Sequence, residues 1–254
     1  EKSFVLEVLT LLKNLCEGHY LPMQNLLRKQ HASEHSVDLV TAVAVFITEI
    51  EGAISPINVH VASQAFETLI EFLQGPCKGN IYAVLKTGLC EAVNRIVVNT
   101  HAKLDGVFYP SDYYQMIRSL KADVAVCVLA MLEGASFSDP RIPKNLIRSL
   151  DLTALVDYAI SMYSVWKSAR QRQQDSGLDV EDKMLDAMNR VAISTGFSYY
   201  VMLRTIADFE TEPNSALDRL FDQSIAAIAY YSKGTGCLEI SKDRGNNAPP
   251  ELLR

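Results

Sequence analysis

Turn formers are scarce in this chain: Gly and Pro together make 21 of 254 residues, about 8% against roughly 12% in average usage. That shortage argues against many short strands joined by tight turns and favours long helices. Positive charge is also in short supply. Lys and Arg number 24 against 30 Asp and Glu, which leaves a net charge of −6 and a pI near 5.4. No Lys/Arg run is long enough to form the basic stripe that duplex binding uses, so nucleic acid is not an expected partner. Long apolar runs are missing too. The nearest approach, Val37 to Ile50, is broken by Asp38, Thr41, Thr48 and Glu49 and falls short of the ~20 apolar residues of a membrane span. The cysteines, Cys16, Cys77, Cys90, Cys127 and Cys237, are odd in number and widely spaced, which reads as a reduced, cytosolic setting rather than a disulfide framework. No G-x-S-x-G, P-loop, H-E-x-x-H or C-x-x-C stands in the chain, so no enzyme is expected.

What the chain does have is helical periodicity and the ordinary apolar content of a globular protein, 48%. Phe4, Val5, Val8, Leu11, Leu12 and Leu15 recur at three- and four-residue spacing until Gly18. A short helix follows from Leu21 to Lys29, with Pro22 in its first turn. Ser36 is placed to cap a helix from Val37 to Glu51, and Gly75-Pro76 ends another that runs from Ile57 to Gln74 and buries Val59, Phe66, Ile70 and Leu73. Further helices are expected near Ile81 to Lys86, Cys90 to Leu104, Asp112 to Glu133, Lys144 to Leu150, Thr153 to Gln173, Val180 to Asp208 and Ser215 to Tyr231. No repeat of fixed period emerges, so the expected fold is all-α, an irregular α-solenoid or armadillo-like stack. Gln171 to Asp182 is the best internal linker, and Cys237 to Lys242 alternates as a short C-terminal strand whose partner must come from elsewhere. The chain opens on Glu1 rather than Met with a helical pattern already under way, which reads as a piece of a longer polypeptide.

Few side chains suggest chemistry. His31 and His35 stand at i, i+4, which on a helix could pair on a metal, but they sit in a polar stretch without a third ligand, and a solvated surface is the simpler account. Cys16 beside His19 reads better as a core thiol next to a helix-end imidazole. Asp175, Asp179, Glu181 and Asp182 lack EF-hand spacing and suit a solvated helix start. Glu17 and Glu71 lie at the C-terminal ends of two helices, where the macrodipole disfavours an anion, each with a polar neighbour, His19 and Gln74. Two such acids could converge as hard oxygen ligands for Ca²⁺, although spacing alone leaves exposed helix-end glutamates as the commoner alternative.

Two blocks then carry a family resemblance. Leu15-Cys16-Glu17-Gly18-His19 with Gln24-Asn25-Leu26-Leu27-Arg28-Lys29-Gln30, and Leu69-Ile70-Glu71-Phe72-Leu73-Gln74-Gly75-Pro76-Cys77-Lys78-Gly79-Asn80, resemble the homology-associated domain of inositol trisphosphate and ryanodine receptors. A weaker likeness runs from Asn189 through Tyr231 to Leu238 and is similar to the helices and strand that precede the membrane region of these channels. The resemblance implies a helical homology-associated domain at 1–170, a linker at 171–182, and a helical pair plus strand at 183–254. It implies a non-enzymatic, regulatory piece of a ligand-gated Ca²⁺-release channel on the cytosolic face of the endoplasmic reticulum. Its partners would be the other domains and sister subunits of a homotetramer. It further implies that Glu17 and Glu71 hold the activating Ca²⁺, helped by His19 and Gln74, with a remaining carbonyl ligand from a domain outside this chain and hence weak binding by this chain alone. The alternative is a helical scaffold that binds partner proteins without any ion.

Overall fold

The computed structural model describes residues 2–31, 34–99, 111–135, 140–176, 183–210 and 215–235. Among them it is all-α, with helices α1 (Lys2–Leu15), α2 (Leu21–Arg28), α3 (Leu39–Ile50), α4 (Val59–Leu73), α5 (Lys78–Val84), α6 (Leu89–Asn99), α7 (Ser111–Glu133), α8 (Arg141–Ser149), α9 (Leu152–Ser176), α10 (Lys183–Ala207), α11 (Ala216–Gln223) and α12 (Ile225–Ser232). A 3₁₀ turn, Glu51–Ala53, follows α3. The expected strand at Cys237 to Lys242 lies outside the described residues. Helix α9 runs on to Ser176, through the start of the stretch expected to be linker, whose remainder at 177–182 is likewise outside. None of the described helices is long and apolar enough to cross a membrane.

Local chemistry accounts for most boundaries. Pro22 sits in the first turn of α2, where its missing N–H costs no helical hydrogen bond. The cap of α3 is Asp38 rather than Ser36: the Asp38 carboxylate accepts from the Thr41 backbone N–H and hydroxyl, both at 2.8 Å. Ser36 instead exchanges hydrogen bonds with Gln30, whose backbone N–H lies 3.0 Å from its hydroxyl. A reciprocal capping box between Ser215 and Asp218 opens α11. The helix expected from Ser215 to Tyr231 breaks at Ser224 into α11 and α12. On one continuous helix Phe221 and Tyr231, ten residues apart, would point some 80° apart. That separation lies within one buried stripe, and Phe221 and Tyr231 are both buried.

Helix α4 forms the centre of the first half. Ten of its fifteen residues are buried, so it is enclosed nearly all round rather than on one stripe. It packs against α1, α3, α5 and α7, and α7 in turn packs against α6, α8 and α10. The second half pairs α9 with α10 and closes on α11 and α12. Its core is aromatic: Tyr158 meets Tyr199 edge-on at 4.8 Å, Trp166 lies 4.5 Å from Tyr230, and Tyr231 donates to the Ala159 carbonyl at 3.1 Å. One cation is fully buried at the seam. Lys121 donates from Nζ to the Val97 carbonyl in the last turn of α6 at 2.8 Å and stands 4.5 Å from the Tyr158 ring centroid. Burial pulls its ammonium down to about 7.

Candidate functional site

The corner where α1 meets α2 lies against the corner where α4 meets α5. After α1 the chain tightens through His19 N–H to Cys16 C=O, 3.0 Å, and turns left-handed at Gly18 (φ 75°) and His19 (φ 58°). A left-handed histidine stores backbone strain of about 1 kcal/mol or more, and such strain is characteristic of sites. Opposite it Gly75 is also left-handed, φ 81°, and a Cβ there would come within 2.5 Å of the His19 Cβ. The two turns that carry Glu17 and Glu71 are thus pressed together by two residues that permit the close approach.

Within this corner the imidazole Nδ1 of His19 stands 4.0 Å from Glu71 Oε2, an ion-pair separation longer than a hydrogen bond. Glu71 Oε2 is buried and has no hydrogen-bond partner. A buried, unsatisfied carboxylate oxygen is costly unless something positive faces it. Glu17 is exposed on the neighbouring turn. Gln74 enters through its backbone: Gln24, fully buried, donates from Nε2 to the carbonyls of Glu71 at 2.7 Å and Gln74 at 2.9 Å. These are orphan carbonyls at the end of α4, so Gln24 acts as a C-cap from another helix. Gly75 N–H donates to Glu133 Oε2 at 3.2 Å, which ties in the end of α7.

A polar clamp fixes the corner. Arg28 donates to Asn80 Oδ1 at 2.7 Å and to Asn25 Oδ1 at 2.8 Å, and Asn80 donates to the carbonyls of Gln24 at 3.1 Å and Phe72 at 2.8 Å. Gly79 lies so close to the Arg28 guanidinium that a Cβ there would overlap it. Both quoted sequence blocks therefore meet in one network. Sequence reasoning singled out Glu17, His19, Glu71 and Gln74 but missed Gln24, Arg28, Asn80 and Glu133, whose partners lie some fifty residues away in sequence.

Of the remaining candidates, Asp179, Glu181 and Asp182 lie outside the described residues. Cys16 is buried, and desolvation together with the nearby Glu71 charge pushes its thiol up to about 11, which suits a core thiol and not a ligand. Cys16, Cys77, Cys90 and Cys127 are all free and buried. His31 lies in a turn and His35 in a bend, neither on a helix. Among the described residues no three His, Cys, Asp or Glu side chains stand together in an arrangement that could hold a metal ion. Carboxylate oxygens suit a hard cation, but two carboxylates supply only part of the 6–8 oxygens that Ca²⁺ takes.

Among the described residues the fold is all-helical, and a polar corner with a left-handed histidine joins two segments distant in sequence. The family model described as "RyR and IP3R Homology associated" matches residues 1–97. The matched segment, 97 of the 254 residues, is similar to the homology-associated segment of ryanodine and inositol trisphosphate receptors. It is similar to the inositol 1,4,5-trisphosphate receptor itr-1 of Caenorhabditis elegans, 28% identical over 146 residues, covering 53% of this chain and 5% of that receptor. The chain thus spans a small fraction of the relative's length.

Proposed function

We propose that this chain is a regulatory segment of an intracellular ligand-gated Ca²⁺-release channel, at the cytosolic face of the endoplasmic reticulum, and that it contributes Glu17 and Glu71 to an activating Ca²⁺ site. Glu71 Oε2, buried without a hydrogen-bond donor at a corner that also carries Glu17, is the observation that supports this reading. Ca²⁺ prefers 6–8 oxygens, so two carboxylates supply only part of its shell, and the remaining ligands would come from another domain of the channel. His19 and the capped end of α4 at Gln74 would hold the carboxylates in place. An ion that bridges this corner to a pore-linked domain binds one relative orientation better than others, and that differential affinity shifts a closed channel toward open. The same reading takes the α1–α4–α7–α10 succession as an irregular armadillo-like stack, with the strand at Cys237 to Lys242 pairing outside the chain and sister subunits completing a homotetramer.

CaCl₂ titration of the ¹⁵N-labelled chain tests the site. Expected are saturable amide shifts confined to Glu17–Tyr20 and Glu71–Gly75, at a Kd of about 10⁻³ M for so incomplete a ligand set. Glu71→Gln or Glu17→Gln should weaken the response at least fivefold. Shifts scattered over the acidic surface and indifferent to both substitutions would overturn the assignment. A second reading, a scaffold that binds partners without an ion, draws on the exposed outer stripe of α1 at Phe4, Leu11 and Leu15, and prevails if Ca²⁺ produces no localised response.

A further inference from the structure

Gln24, in the body of α2, is a glutamine with none of its surface exposed. Burying an amide costs free energy unless new hydrogen bonds replace those it made to water, and a leucine or methionine would fill such a place without that cost. The bonds Gln24 makes therefore show what its side chain is for. Nε2 donates to the Glu71 carbonyl at 2.7 Å and to the Gln74 carbonyl at 2.9 Å, while Oε1 accepts from no group among the described residues. Only the donor end of the amide is used, and both of its bonds fall on the turn that carries Glu71.

The backbone of the same residue is anchored to the opposite turn. Gln24 N–H donates to the Tyr20 carbonyl at 3.1 Å, and Tyr20 closes the tight turn that runs from Glu17 through the left-handed Gly18 and His19. Asn80 Nδ2 donates to the Gln24 carbonyl at 3.1 Å, so the backbone is held from a second side. The last carbonyls of α4 show how particular the link is. Those of Ile70 and Leu73 accept from the backbone N–H groups of Gln74 and Cys77, and that of Phe72 accepts from Asn80. The Glu71 carbonyl instead takes its bond from α2, through Gln24. One side chain thus spans the two turns that hold Glu17 and Glu71.

We propose that Gln24 is a positioning residue that fixes the two acid-bearing turns in one register, so that a cation meets Glu17 and Glu71 as a single two-carboxylate site. This rests on the assignment of Ca²⁺ to the corner. With the turns tied, the second carboxylate engages an ion already held by the first at high effective concentration, whereas untied the two act as separate and weaker sites.

CaCl₂ titration of the ¹⁵N-labelled chain, followed at the backbone amides and at the Gln24 side-chain amide, tests it. Expected in the parent is one common midpoint for Glu17–Tyr20, Glu71–Gly75 and the Gln24 Nε2 protons, a result that needs no variant. In Gln24→Met, of similar length but without a donor, the two turns should part into separate midpoints, both weaker by about fivefold or more. Thr68→Val is the control, because the Thr68 hydroxyl also makes a buried bond between helices, to the Leu9 carbonyl of α1 at 3.0 Å, outside both turns. It should keep the common midpoint of the parent. Circular dichroism checks that both variants are folded. Separate midpoints in the parent, a common and unweakened midpoint in Gln24→Met, an equal loss in Thr68→Val, or a Gln24 side-chain amide that stays still while both turns respond would overturn the proposal and leave the Ca²⁺ assignment standing. The absence of any localised response in the parent would overturn both.

Discussion

Lys121 is a fully buried cation whose ammonium burial holds far below its ordinary value. Folded, it loses its proton near pH 7, whereas in the unfolded chain it keeps it to about 10.4. Between those values the unfolded chain binds the extra proton, so stability rises with pH. Other shifted groups act outside the first part of this window. Asp123, raised to about 6 by burial, gives stability at low pH that is lost between the ordinary carboxylate range and pH 6. The thiols of Cys16 and Cys90, raised by burial to about 11 and about 12, give stability that declines only above the ordinary thiol value of about 8.5. The interval from pH 7 to 8 therefore reports on Lys121. Urea unfolding should show a gain of about 1 kcal/mol from pH 7 to pH 8, integrated for one proton leaving near 7. Lys121→Met should be more stable than the parent at pH 7 and flat across the interval, because a similar stem is buried without a charge. A parallel slope in both proteins would assign the proton elsewhere.

At the scale of elements, boundaries are readable in sequence wherever chain chemistry alone decides them. Gly75-Pro76 ends α4 as expected because the left-handed turn and the missing N–H act locally. The break at Ser224 carries no glycine or proline, so no local signal marks it. For a like reason α4 looked one-sided: a pattern of strongest apolar residues cannot show that Val61, Ala62, Ala65 and Thr68 are enclosed as well. Gly196 makes the point sharply. In mid-helix it costs about 1 kcal/mol against Ala, and sequence offers no reason for it. In the fold a Cβ there would land on Tyr231 Oη, the hydroxyl that donates to the Ala159 carbonyl. Gly196→Ala should therefore destabilise by about 1–3 kcal/mol despite its better propensity. Adding Tyr231→Phe should recover part of that loss in a double-mutant cycle measured by urea unfolding, whereas strict additivity would refute the crossing.

For the molecule as a whole, the candidate acids were visible as helix-end residues, but what joins them was not. Gln24 reaches Glu71 across 47 residues and Asn80 reaches Gln24 across 56, separations at which no local pattern carries information. The same long-range packing sets a gradient of stability. Helices α4 and α7 are enclosed by neighbours on several sides, while α1 keeps Phe4 70% and Leu11 59% exposed and α12 is a short helix that leaves Ile225 72% exposed. Amides open by the cheapest available route, and only those enclosed on all sides must wait for global unfolding. Native-state hydrogen exchange should therefore be slowest at Leu69 and Ile70 of α4 and at Val124 and Val128 of α7. It should be faster by about 100-fold or more, close to 3 kcal/mol, in α1 and α12. The candidate corner straddles this gradient, with Glu71 on the slow helix and Glu17 just beyond a fast one. Asn80→Ala, which removes both of its carbonyl bonds, should speed exchange in α2 while leaving the middle of α4 slow. If α1 exchanges as slowly as α4, or if Asn80→Ala accelerates both helices alike, the corner moves as one rigid unit and the gradient is wrong.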